Sequence, residues 1–338
     1  MTLFVGDPSA PTRFGTDVAD TSDPTGLFLK VFGGEVYAAF SEKVHTMDKH
    51  VSRDISAGKS AQFPKTWKVS ASYHSAGVEM LGQDTDETER VISIDGLLVS
   101  HIGIYDLDEA MSHFQVRGTY TSELGKALAR VFDQNVYRTI VATAKQSSAL
   151  PGAASTSPFP NGTRLLSADV SGTITATAGS QWWEVMRGLQ VDADLADYDG
   201  SIHLAVPPAT FDATMFAQAA DTAANPFLFQ DKDLHQNQSG GADRDASLSL
   251  RSVSMYMSNL IPQTNVTANA EVKAKYRADY STVLGVAWGN EAVGTVKLIG
   301  MGMESTRDVR RQEDFVVAKM ACGHGPLRNE IAWEVANT

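Results

Sequence analysis

Between Gln62 and His74 the side chains alternate: Phe63, Trp67, Val69, Ala71 and Tyr73 take odd positions, and Gln62, Thr66, Lys68, Ser70 and Ser72 even ones. A period of two belongs to a β-strand with one apolar side. A second run, Val91 to Val99 (VISIDGLLV), follows a polar stretch that holds Gly77, Gly82 and the acids Glu79, Asp84, Asp86, Glu87 and Glu89. The two runs predict a long hairpin with an acidic tip. Its thirteen-residue first strand would span roughly 40 Å at about 3.3 Å per residue, and an isolated two-stranded hairpin is marginal in water. The apolar side of such a ribbon needs cover from outside it.

The second long element is helical. Val116, Tyr120, Leu124, Leu128, Val131, Phe132, Val136 and Ile140 recur every three to five residues, predicting one helix from Val116 to Ala144. Gly118 and Gly125 each cost it up to about 1 kcal/mol relative to Ala, so its stability must come from packing. A short helical turn is expected in IYDLDEAMSHF. Further on, Trp182–Leu195 and Phe211–Ala219 read as helices, Ile202–Val206 as a strand and Leu248–Met257 as an interrupted strand. The chain ends in strand character at VLGVAWG, AVGTVKLIGMGM and DFVVAKMACG. The pattern is α+β. Residues 1–26 read as a flexible arm, and Leu27–Val44 as a short amphipathic helix broken at Gly33-Gly34. Asn225–Asp245 reads as a surface loop.

Composition removes several functions. Of 338 residues, 28 are Lys or Arg and 40 are Asp or Glu, a net charge of −12. Binding that works by neutralising phosphates is disfavoured. The single cysteine, Cys322, can form neither an internal disulfide nor a multi-cysteine zinc site. No run resembles a membrane span, and the first residues lack a secretion-signal pattern, so a cytoplasmic setting is expected.

Motifs with chemistry are equally scarce. Gly58-Lys59-Ser60 has Arg53 where a phosphate-binding loop needs its first glycine, and it leads into a strand rather than a helix. Gly300-Met301-Gly302 lacks the third glycine of a dinucleotide fingerprint and reads as a strand. Cys322 and His324 offer two metal ligands without a third, and read as a turn. Trp182-Trp183 reads as core plus surface contact rather than a stacking platform. No nucleophile elbow occurs. No catalytic, cofactor or metal site is expected.

The blocks LFLKVFGGEV, GKSAQFP, VISIDGLL, IYDLDEAM, AVGTVKL and AKMACGHGPLR, in that order, resemble the major capsid proteins of T7-like short-tailed phages. The resemblance implies the Hong Kong 97 (HK97-like) phage capsid fold. Residues 1–58 would form the N-terminal arm, 59–98 the extended E-loop hairpin, 99–170 and 290–338 a P-domain with spine helix 116–144, and 171–289 an A-domain. It implies self-assembly through hexamers and pentamers into an icosahedral virion capsid built in the host cytoplasm. The partners would be a scaffolding protein, a portal, and decoration or minor capsid proteins. Double-stranded DNA would be enclosed without sequence-specific binding, and no membrane or cofactor is involved.

On this reading the inter-subunit contacts include Leu27, Phe28 and Phe32 of the arm and Phe63, Trp67, Val69 and Tyr73 of the hairpin. The acids Glu79, Asp84, Asp86 and Glu87 would face a basic surface of Arg307, Arg310 and Arg311, with Lys319, Lys126 and Arg130 as further candidates. Hinges are expected at Gly33, Gly34, Ala57 and Gly58. Gly77–Arg90 contains no lysine, so joining should be noncovalent. The rival readings are an encapsulin-like nanocompartment shell of the same fold and an α/β enzyme.

Overall fold

The computed structural model describes residues 46–66, 71, 73–77, 79–80, 82, 87–111, 117–146, 163–166, 179–220 and 247–337. In chain order the elements are β1 (Val51–Asp54), β2 (Ser60–Thr66), β3 (Glu87–Ser93), β4 (Leu97–Tyr105), α1 (Asp106–Met111), α2 (Arg117–Ala144) and β5 (Thr163–Leu166). They continue with α3 (Gly179–Leu195), β6 (Ile202–Val206), α4 (Pro208–Ala220), β7 (Ser247–Leu250), β8 (Val253–Met257), β9 (Val283–Gly289), β10 (Val293–Asp308), β11 (Glu313–Pro326) and β12 (Ala332–Ala336). Two compact units result. The described residues of the larger fall within 45–94, 133–296 and 323–338, and those of the smaller within 95–132 and 297–322.

The larger unit is built on a six-stranded sheet in the order β5-β12-β9-β6-β8-β7, mixing parallel (β6–β8, β12–β5) and antiparallel (β9–β12, β6–β9, β7–β8) pairs. Its central strands are almost continuously apolar, as VLGVAWG and AWEVA are, which a sheet covered on both faces requires. Trp182, Val185, Met186, Leu189 and Ala193 form one buried stripe of α3. Trp182 lies over Gly285, where an added Cβ would come within 2.9 Å of its ring. On the other strand face, Trp288 meets Tyr137 of α2 edge-on at 5.7 Å. Residues 285 and 288 point to opposite sides of β9, so α3 and the second half of α2 cover opposite faces.

The hairpin is rooted in this unit. β2 and β3 pair antiparallel from Ser60↔Ser93 to Thr66↔Glu87. Ala61 and Ile92 are buried with Val296, and Ile55, Phe63, Ile94 and Leu327 pack around them. Gly294 and Gly325 make room for Ile92, since a Cβ at either would stand 2.8 Å from its side chain.

In the smaller unit β10, β11 and β4 lie side by side, with β11 antiparallel to β4 from Glu313↔Tyr105 to Ala321↔Leu97. Val316, Ala318 and Met320 are buried at alternate positions, as are Leu124, Leu128 and Phe132 one helical turn apart on the first half of α2.

Several expectations are corrected. The hairpin's first strand stops at Thr66, and residues 71 and 73–75 carry no strand; Trp67 and Val69 lie outside the described residues. The run Val91–Val99 is two strands, not one. It breaks at Ile94–Gly96, where Gly96 has φ 121° and Asp95 N–H bonds to Cys322 O at 3.1 Å, sending β4 to pair with β11. Leu248–Met257 is a tight antiparallel pair turned at Arg251 (φ 52°). Cys322 and His324 sit buried within β11 rather than in a turn, because the strand runs on to Pro326. Trp182 and Trp183 are both buried. The last strand, β12, had no sequence expectation. α2 matches the expected helix to within one residue at its start, and α3, β6, α4 and β9 to β11 stand close to where they were expected. The arm to residue 44 and the loop 225–245 lie outside the described residues.

Candidate functional site

The hairpin divides into an anchored base and an uncovered outer part. At the base, Phe63 is half-buried against the Ala61–Ile92–Val296 cluster, with the Arg53 guanidinium 5.9 Å from its ring centroid. Arg53 also donates to Gln62 O at 2.8 Å, and Gln62 reaches Glu89 at 3.3 Å. Farther out, Tyr73 (106% exposed) and Met80 (79%) turn large apolar side chains to solvent, as does Val91 (56%) at the base opposite Gln62. Glu79 is exposed among them. Glu87 opens β3 opposite Thr66, whereas Asp84 and Asp86 lie outside the described residues.

An ionic group at the base escaped sequence reasoning. Arg328 bonds Glu330 at 2.5 Å and Glu291 at 2.9 Å. Burial penalises its charge, yet these two carboxylates outweigh that and hold its pKa above the ordinary value. Arg90 of β3 is also lowered by burial, opposed by the charge of the same Glu330. One buried acid thus links the hairpin's return strand to the turn before β12. A separation of 240 residues leaves no sequence signal for such a link.

In the smaller unit Arg307, Arg310 and Arg311 stand where β10 turns into β11, among acids of their own chain, while Lys319 lies within β11 and Lys126 and Arg130 on α2. Arg307 bonds Asp106 at 2.5 Å. Arg311 stands 3.9 Å from Asp308 and 3.6 Å from Glu313. Lys319 pairs with Glu304, and Lys126 with Glu123 at 3.1 Å. Arg310 is exposed, and its backbone N–H donates to Asp308 Oδ1 at 2.9 Å. Exposed apolar side chains lie on the same strands: Leu97 and Val99 of β4, Phe315 of β11 and Ile299 of β10. The hinge candidates Ala57 and Gly58 are exposed, with Gly58 at φ 113°. Leu27, Phe28, Phe32, Gly33 and Gly34 lie outside the described residues. Among the described residues no group of three or more His, Cys, Asp or Glu could hold a metal ion, and no helix is long and apolar enough to cross a membrane.

What this arrangement offers is contact surface rather than reactive groups, and comparison with known proteins agrees. A family model described as Gp10A-like, major capsid protein, matches residues 62–205 and 230–336, from the hairpin to the last strand. The chain belongs to this family of major capsid proteins. The T7 major capsid protein is 31% identical, with 99% of each chain covered, and that of Enterobacteria phage T3 is 34% identical, covering 92% of this chain and 91% of the relative. The capsid structure of cyanophage P-SCSP1u superposes with a TM-score of 0.70 at 31% identity, covering 97% and 98% of the two chains. The mature capsid of bacteriophage PhiM1 has a TM-score of 0.69 at 14% identity over 92% of each chain, a likeness of fold alone. As a major capsid protein with the HK97-like α+β fold, the chain is a structural, shell-forming component of a phage virion and not an enzyme. The comparisons thus decide between the phage shell and both rival readings.

Proposed function

We propose that this major capsid protein assembles through hexamers and pentamers into an icosahedral shell around double-stranded phage DNA, in the host cytoplasm and with the help of scaffolding and portal proteins. The hairpin of residues 59–98 acts as an E-loop laid across a neighbouring subunit, between an N-terminal arm (1–58), a P-domain (99–170 and 290–338) and an A-domain (171–289). Decoration or minor capsid proteins are further partners. The observation that carries this reading is the hairpin's surface: Tyr73 and Met80 beyond the paired strands and Val91 on β3 are exposed, and among the described residues β2 and β3 pair only with each other. Burying one such side chain contributes roughly 1.5–3 kcal/mol, which its own chain forgoes. A ribbon that gives contacts on one side while another surface receives them makes a heterologous interface, which closes into rings.

The test is assembly of the purified chain with its scaffolding protein, followed by negative-stain microscopy and sedimentation. Wild-type protein should yield closed shells. Tyr73→Ser/Met80→Ser should keep the wild-type melting temperature as a free subunit and lose most of its shells. Shells formed in normal yield by that variant would refute the role given to the hairpin.

A further inference from the structure

A buried polar chain inside the larger unit ties residues 46–50 to the strands behind them. Thr46 Oγ1 donates to Asp133 Oδ1 of α2. His50 Nδ1 contacts Thr46 O, and His50 Nε2 lies 2.7 Å from Thr295 Oγ1 of β10. The same hydroxyl lies 2.8 Å from His324 Nδ1 of β11. Thr46, Asp133 and Thr295 are fully buried, His324 nearly so, and His50 is 8% exposed.

Donor counting fixes the protons. A carbonyl only accepts, so His50 Nδ1 carries a hydrogen. With both rings neutral, His50 Nε2 accepts from the Thr295 hydroxyl, and Thr295 Oγ1 accepts from His324 Nδ1–H. One added proton is tolerated: on His324 Nε2 it leaves these bonds as they are, and on His50 Nε2 the bonds reverse, Thr295 donating to His324 Nδ1 once the His324 hydrogen sits on Nε2. A second is not. Both rings would then donate to one hydroxyl, whose own hydrogen is displaced into a buried site, with two like charges flanking it.

We propose that His50, Thr295 and His324 form an acid-sensitive clasp that holds residues 46–50 on β10 and β11 and opens when both imidazoles are protonated. The other ionisable groups around it are Asp133, Tyr276, Arg138, Lys275, Lys49 and His203. Asp133 lies beyond Thr46 and accepts from its hydroxyl. Tyr276 faces His324, its ring 6.2 Å away and its hydroxyl 3.4 Å from the His324 backbone N–H. Arg138 of α2 faces Tyr276 and Tyr280, and Lys275 lies over the Tyr276 ring at 5.2 Å. Lys49 turns away onto the Tyr256 ring at 3.8 Å, while His203 and Trp288 stack beyond it on the sheet.

The opening should fall below the ordinary imidazole value of about 6.5. The test uses the full-length chain. Amide exchange of a peptide covering residues 46–54, corrected for the intrinsic pH dependence, should accelerate at least about 10-fold between pH 7.5 and 5.5. His324→Asn keeps a donor near the Nδ1 position but cannot be charged, and should reduce the step below about 2-fold. Exchange at the imidazole C2 positions of the wild-type protein, read by mass spectrometry, should give two midpoints for His50 and His324, the lower of which coincides with the opening. Unchanged protection of residues 46–54 across this range, a full step in His324→Asn, or both C2 midpoints outside pH 5–7.5 would each overturn the clasp.

Discussion

Gly323 stands where β11 passes the end of the hairpin, and a Cβ there would run into the Ser93 carbonyl oxygen and stand 2.9 Å from Ile94 Cα. Both are backbone atoms that cannot swing aside, so Gly323→Ala must displace the strand. It should cost about 1–3 kcal/mol, measured as a lowered denaturation midpoint, with faster amide exchange at Ile92–Ile94 as its local signature. Tyr280 answers a different question, that of pH. Its buried hydroxyl donates to Tyr276 O at 2.9 Å, and burial, offset in part by Arg138, raises its pKa to about 12. The unfolded phenol titrates near 10, so its contribution is fully present below pH 10 and lost as pH rises towards 12. Tyr280→Phe should therefore lower stability at pH 8 by about 1 kcal/mol and flatten the alkaline limb between pH 10 and 12, seen in urea melts across that range.

At the scale of elements, the hairpin base is held by apolar packing and the Arg90–Glu330–Arg328 group, while the β10–β11 turn carries its cations among acids of its own chain. Exposed pairs contribute only about 0–1 kcal/mol each, so the exposed arginines would set register and rate rather than strength. Arg310→Glu/Arg311→Glu should lower the melting temperature slightly, because Arg311 stands 3.6 Å from the buried Glu313, while slowing assembly and reducing its salt dependence, followed by light scattering at two ionic strengths. An unchanged rate at both would remove the basic turn from the interface. Elements with long, clean periods were legible in the sequence. α2 was readable because Leu124, Leu128, Phe132, Val136 and Ile140 repeat every four residues. The pairing of β7 with β8 was not, since its turn at Arg251-Ser252 puts an arginine, rather than Gly or Asn, at φ 52°. The break at 94–96 was hidden for the opposite reason: Gly96 stood in plain view, but the partner that draws β4 away lies more than two hundred residues on in β11. The outer hairpin was recognisable as an unsatisfied surface. Its ionic base was not, because Glu330 and Arg90 meet only through the fold.

For the whole molecule, the decisive asymmetry is between a larger unit that buries Trp182, Trp288 and Trp333 completely and a hairpin that leaves Tyr73, Met80 and Val91 in water. A subunit built this way is stable in its core and incomplete at its edge, so assembly should change protection in one place above all. In the free subunit, amides of Ile92–Ile94 should already exchange slowly, because they belong to the packed base, while those of residues 73–77, 79 and 80 exchange near the unfolded rate. In closed shells the base should change little. The outer ribbon should slow by at least about 100-fold, the factor expected when two large apolar side chains contribute roughly 1.5–3 kcal/mol each in a neighbour's surface and ordering the ribbon offsets part of that. Because Gly77–Arg90 holds no lysine, this protection should vanish when shells are dissociated by denaturant and the subunits diluted back. A denaturing gel of the same shells should show one band at the subunit mass, and a ladder of multimers would show that covalent bonds had taken over the work assigned here to burial.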